Sequence, residues 1–85
     1  MKFAIAINVM PKAEISDPQG QAVARALPGL GLGSITEVRV GKRILVQVEA
    51  PDAEAAAQMA EQACMKILTN PVIEEFSLEI GEHVR

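Results

Sequence analysis

The chain has few of the residues that do chemistry. Among 85 residues there is one cysteine, Cys64, one histidine, His83, no tryptophan, no tyrosine, and only two phenylalanines, Phe3 and Phe76. A lone cysteine excludes an internal disulfide, and a lone histidine cannot complete a metal cage. The net charge is −3, which argues against a general nucleic-acid binder, since those are basic. The apolar runs are too short and too interrupted to span a bilayer. No signal-peptide h-region or cleavage site precedes the first alternating segment, so a reduced cytoplasmic protein is expected. Repeats, low-complexity tracts and linkers are missing as well, which leaves one domain over residues 1–85.

What is present is apolar but thin. Hydrophobic residues make up 49% of the chain, and alanine supplies much of that, so helices are expected to lie close to a sheet. A chain this short has a narrow stability margin, for which oligomerisation is a common remedy. Charge is uneven: residues 1–45 hold six basic and three acidic side chains, residues 46–85 two and eight.

Phe3, Ile5, Ile7 and Val9 alternate with Ala4, Ala6, Asn8 and Met10, a strand pattern that Pro11 ends. Asp17-Pro18 then reads as a helix start, with Asp17 capping and Pro18 at the first helical position. Val23, Ala26, Leu27 and Leu30 follow at helical spacing until Pro28 ends or kinks the helix near Leu27, and the glycine-rich run to Gly33 reads as a turn. Thr36, Val38 and Val40, then Ile44, Val46 and Val48, predict two strands joined by a two-residue hairpin at Gly41-Lys42. Pro51-Asp52 opens a second helix with an apolar stripe at Ala53, Ala56, Ala57, Ala60, Ala63, Cys64, Ile67 and Leu68, stopped by Asn70-Pro71. A last strand turns Phe76, Leu78 and Ile80 inward and Ser77 and Glu79 outward.

The expected fold is therefore α+β: a ferredoxin-like βαββαβ unit, with a four-stranded antiparallel sheet and two helices on one face. The other face would display Ala4, Ala6, Asn8, Leu45, Gln47 and Glu49, a candidate interface.

A search for catalytic groups finds little. Cys64 falls on the buried helical stripe and reads as a small hydrophobe; His83 lies in a charged terminal tail. Glu74-Glu75 point to opposite faces of a strand and make no dyad. The run Gly29 to Gly33 lacks the spacing of a dinucleotide-binding turn. Stacking aromatics for RNA are missing from the central strands, as is the second cysteine of a copper carrier. Two features have a functional reading. Asp17, Gln19 and Gly20 present a helix N-terminus that a partner or anion could approach. Arg39, Lys42 and Arg43, around Gly41, form a basic cluster at the expected hairpin tip, suited to an acidic partner or phosphate. Met59 and Met65 flank the second helix's stripe, where methionines complete cores or make adaptable contact surfaces.

Asp17-Pro18-Gln19-Gly20, Val38-Arg39-Val40-Gly41-Lys42 and Asn70-Pro71-Val72-Ile73-Glu74, in this order and on these elements, make the chain resemble the PurS family essentially end to end. The resemblance implies a non-catalytic subunit of phosphoribosylformylglycinamidine (FGAM) synthase, which converts FGAR to FGAM with glutamine and ATP in purine synthesis. It implies a ligase partner, PurL, a glutaminase partner, PurQ, and self-association as a dimer or tetramer, with neither nucleic acid nor membrane as partner. It also implies that ATP and magnesium serve the complex while this chain binds no cofactor. The family's first helix usually runs on where this chain has Pro28-Gly29. Two rivals share the fold class: a small-molecule regulatory domain of ACT-like type, and an acylphosphatase-like enzyme. The second needs an arginine in the loop from Pro11 to Ser16, which has none.

Overall fold

A computed structural model describes residues 1–81 of the chain; His83 lies outside them. The order is β1 (Lys2–Pro11), α1 (Pro18–Ala26), a 3-10 turn (Leu27–Leu30), β2 (Lys42–Glu49), α2 (Ala53–Ala63), a π turn (Cys64–Leu68) and β3 (Glu74–Gly81). The three strands form one antiparallel sheet in the order β2-β1-β3. Ile5 stands between Val46 and Ile80, and Ile7 between Ile44 and Leu78, so one sheet face is apolar across all three strands.

Helix α2 covers that face. Asp52 caps it by accepting from the Ala55 amide at 2.8 Å, and Ala56, Ala60 and Cys64 are buried against the sheet. These small side chains let the helix approach closely, as expected. Ile5, Ile7 and Val9 are the largest fully buried apolar side chains besides Cys64, each contributing roughly 1.5–3 kcal/mol by burial. The expected stripe fails at its end, because Ile67 is 80% exposed. The π turn from Cys64 explains this: Thr69 bonds back to the Cys64 carbonyl at 3.1 Å, five residues away. That wider turn rotates the chain so that Leu68, not Ile67, joins the core.

Two expectations are corrected. Thr36–Val40 is not a strand of this sheet, which has three strands among the described residues, and Gly41-Lys42 makes no hairpin. Gly41 does not adopt the positive φ of a tight turn; Gly31 is the described glycine that does. The Val40 amide donates instead to the Asp17 carboxylate at 2.8 Å, so a side chain outcompetes the strand ladder. The second correction concerns α1. It ends at Ala26, before Pro28, but packs on the 3-10 turn rather than on the sheet. Residues 13–40 therefore form an arm projecting from the sheet. The radius of gyration is 16.2 Å and the longest dimension 51 Å, against about 12 Å for the radius of a compact chain of this length.

Candidate functional site

The arm is attached by two chain segments, residues 12–17 on the way out and 38–41 on the way back, and both are held at one point. Asp17 is the N-cap of α1 and accepts from the Gly20 amide at 3.0 Å while also taking the Val40 amide. Arg39 donates from one terminal nitrogen to the carbonyls of Pro11 (2.6 Å) and Lys12 (3.1 Å), and its Nε lies 3.9 Å from Asp17 Oδ2. That Nε is buried and makes no hydrogen bond, so the Asp17 charge alone balances it. The two backbone amides, and then Arg39, hold the Asp17 carboxyl below its ordinary pKa of 3.8.

Two glycines make this crossing possible. A Cβ on Gly20 would collide with the Val38 carbonyl and the Asp17 carboxylate, and one on Gly41 would collide with the Val9 carbonyl and Met10 Sδ. The third sequence segment arrives from the far edge. The Lys12 amide donates to the Ile73 carbonyl at 2.9 Å, and Lys42 Nζ lies 3.8 Å from Glu74 Oε2. Glu74 in turn accepts from the Asn70 amide at 2.7 Å. Residues far apart in the chain thus build one clasp at the end of the sheet where β1 and β2 meet the arm.

The expected basic cluster is dispersed. Arg39 turns into the clasp. Lys42 and Arg43, being consecutive in β2, point to opposite faces of the sheet. Arg43 lies on the open face, where it donates to Asn8 Oδ1 at 2.9 Å and to Glu79 Oε2 at 2.6 Å, and Asn8 itself donates to Glu79 at 2.7 Å. Hydrogen bonds from Asn8 and Arg43 lower the Glu79 pKa. Gln19 stays exposed beside a shallow hollow of about 230 Å³ that it shares with Pro11, Val40, Gly41, Lys42 and Glu74. Sequence reasoning missed Glu74, the carbonyls of Pro11 and Lys12, and the Asn8–Arg43–Glu79 network. The first was within reach, since Glu74 follows an Asn-Pro stop and four residues separate it from Asn70. Cys64 is fully buried, and burial raises its thiol pKa, with Glu61 adding to the shift.

The family model that matches residues 4–82 is PurS, described as phosphoribosylformylglycinamidine (FGAM) synthase. The chain belongs to the PurS family. It is 39% identical over 74 residues to the phosphoribosylformylglycinamidine synthase subunit PurS of Synechocystis sp., covering 87% of this chain and 74% of that one. With the same subunit of Mycobacterium leprae it shares 42% over 73 residues, 85% and 87% of the two chains. A chain in the structure of PurLQS from Thermotoga maritima superposes with a TM-score of 0.87 at 32% identity, over 95% of this chain and 99% of that one. The segments that carry the PurS resemblance in the sequence are the same three that meet in the clasp. In this PurS-family chain they fasten the base of the arm to the end of the sheet, so their spacing is explained by geometry rather than by catalysis.

Proposed function

We propose that this chain is the small, non-catalytic subunit of FGAM synthase, joining a ligase subunit and a glutaminase subunit in purine biosynthesis. The observation that carries the reading is the PurS match over residues 4–82, nearly the whole chain. A chain built around a rigid clasp and a projecting arm suits a part that positions others. Glutaminase and ligase must be coupled so that ammonia passes between them before it escapes as ammonium, and tethering both raises their effective concentration. ATP and magnesium then belong to the ligase subunit, and the complex works in the cytoplasm. The chain also assembles with itself, as a dimer or tetramer, and the expected fourth strand forms in that assembly.

Lys42, 53% exposed at its side chain beside Glu74, and Arg43 beside Glu79 are proposed as separate contacts, one on each sheet face, for acidic groups of partner chains. Gln19 and Gly41 border the same end. The hollow there, about 230 Å³, is smaller than the roughly 300–1,000 Å³ of ordinary small-molecule sites, which favours a protein partner over a small ligand at this end of the sheet. The test is reconstitution: the ligase and glutaminase subunits are assayed for glutamine-dependent amidine formation with and without this chain. Activity that depends on it supports the proposal; activity indifferent to it overturns it. Charge reversal at Lys42 and Arg43 that leaves complex formation intact removes the two basic contacts alone.

A further inference from the structure

Strand β3 forms the edge of the sheet opposite β2. The phase of its ladder is fixed by the bond from the Lys12 amide to the Ile73 carbonyl. Carried along the unbroken register of β1 with β3, that phase turns the backbone groups of Glu75, Ser77, Glu79 and Gly81 toward β1. The amides and carbonyls of Phe76, Leu78 and Ile80 then point away from it. Among the described residues no strand, turn or loop meets these outward groups. Sheets commonly blunt such an edge with a proline or a bulge. β3 has neither.

The two faces of this edge differ. On the helix-bearing face the apolar surface runs on past the strand: Ile5 and Ile7 are fully buried in β1, whereas beside them in β3 Leu78 is half-buried and Ile80 is 40% exposed. On the open face β3 presents Glu75 and Glu79 and no base. Asn8 and Arg43 hold Glu79, while Glu75 is exposed and makes no ion pair among the described residues. We infer that an extended segment of a partner subunit joins the β3 edge as a further strand, with apolar side chains on the helix-bearing face and lysine or arginine toward Glu75. Backbone pairing with Phe76, Leu78 and Ile80 supplies the affinity, and the apolar–basic alternation of the incoming segment supplies the selection. A second copy of β3 fits worse. It would bring Glu75 and Glu79 beside the same two side chains, and like charges across a ladder destabilise it.

This inference rests on the chain serving as a subunit of the synthase, and two probes keep the failures apart. The first is the pair of ligase and glutaminase subunits. Amide exchange is followed residue by residue in the isolated chain and in its mixture with them. The amides of Phe76, Leu78 and Ile80 are expected to slow by about tenfold or more in the complex, and those of Ser77 and Glu79, already paired with β1, to change less. Ile80→Pro removes an outward amide, whereas Ile80→Ala trims the side chain and keeps it; the proline chain is expected to bind about two- to tenfold more weakly than the alanine chain. Glu75→Lys is expected to weaken the complex as well. The second probe is a short peptide alternating valine and lysine, which should slow the same three amides of the isolated chain, while one alternating valine and glutamate should not. A complex that forms without slowing the three outward amides overturns the inference, and so does equal affinity of the Ile80→Pro and Ile80→Ala chains. Slowing that grows with the concentration of the isolated chain overturns it in favour of a second copy. Where no complex forms, the role in the synthase fails, and the edge is judged by the valine–lysine peptide: slowing supports the inference, and unchanged exchange overturns it.

Discussion

Replacing Gly41 with alanine isolates the steric demand of the clasp. Alanine would ordinarily stabilise this position. Gly41 does not occupy the positive-φ region, and restricting the unfolded chain contributes about 0.4–1 kcal/mol in favour of the folded state. The added Cβ, however, meets the Val9 carbonyl and Met10 Sδ, and lies 3.3 Å from the Val9 carbonyl carbon. The Met10 thioether can swing away. The Val9 carbonyl cannot, because Val9 is in the central strand and only 1% exposed. Forcing a methyl into such a site costs about 1–3 kcal/mol, so the net effect is a loss of about 1–2 kcal/mol. For a domain of this size that lowers Tm by roughly 5–10 °C. Gly29→Ala is the control, since a Cβ there meets nothing within 4 Å, and, lying in the arm away from the core, it should leave Tm at or slightly above the wild type. Thermal melts by circular dichroism at matched chain concentration decide the matter. A Gly41→Ala chain that melts at or above the wild type refutes the reasoning.

Ile7→Ala removes a fully buried side chain at a cost of about 2–5 kcal/mol, a large part of any small domain's stability; a urea midpoint close to the wild type would show that the sheet face is not the core. Cys64, buried and with its thiol pKa raised, should react with a thiol reagent at pH 8 far more slowly in the native chain than in denaturant, and equal rates would contradict its burial. The Asp17 pKa is depressed below 3.8, so its contribution is fully present above that pH and is lost only as pH falls through the lower folded value. The Val40 amide resonance should therefore hold steady from neutral pH down to about 4 and titrate below 3.8; a midpoint above 3.8 would sink the assignment.

Most of the elements were legible because local patterns produced them. The alternation in β1, β2 and β3, the Asp52 cap and the alanine stripe of α2 all act within a few residues. What was illegible acts over distance. Thr36–Val40 alternates as a strand does, and nothing near it in sequence says otherwise. The competing partner is Asp17, 23 residues earlier, whose carboxylate captures the Val40 amide. The basic residues separate for a related reason: adjacency of Lys42 and Arg43 in sequence means opposite faces in a strand, and Arg39 finds backbone carbonyls 27 and 28 residues away. The π turn that exposes Ile67 has no signal in composition at all.

Why a small chain holds its arm so firmly follows from what association costs. A loose arm would sample many directions, and binding would have to order every residue from 13 to 40, each costing about 1–2 kcal/mol of backbone entropy. The clasp removes part of that cost in advance by joining both attachment segments to Asp17 and Arg39, which is preorganisation in the ordinary sense. The core under α2 does not depend on it, since α1 packs on the adjoining 3-10 turn rather than on the sheet. Asp17→Asn should accordingly leave the melting of the sheet almost unchanged while weakening assembly, most visibly at low chain concentration. If the variant instead lost the sheet and the assembly together, the clasp would be a part of the core and not the anchor of an arm.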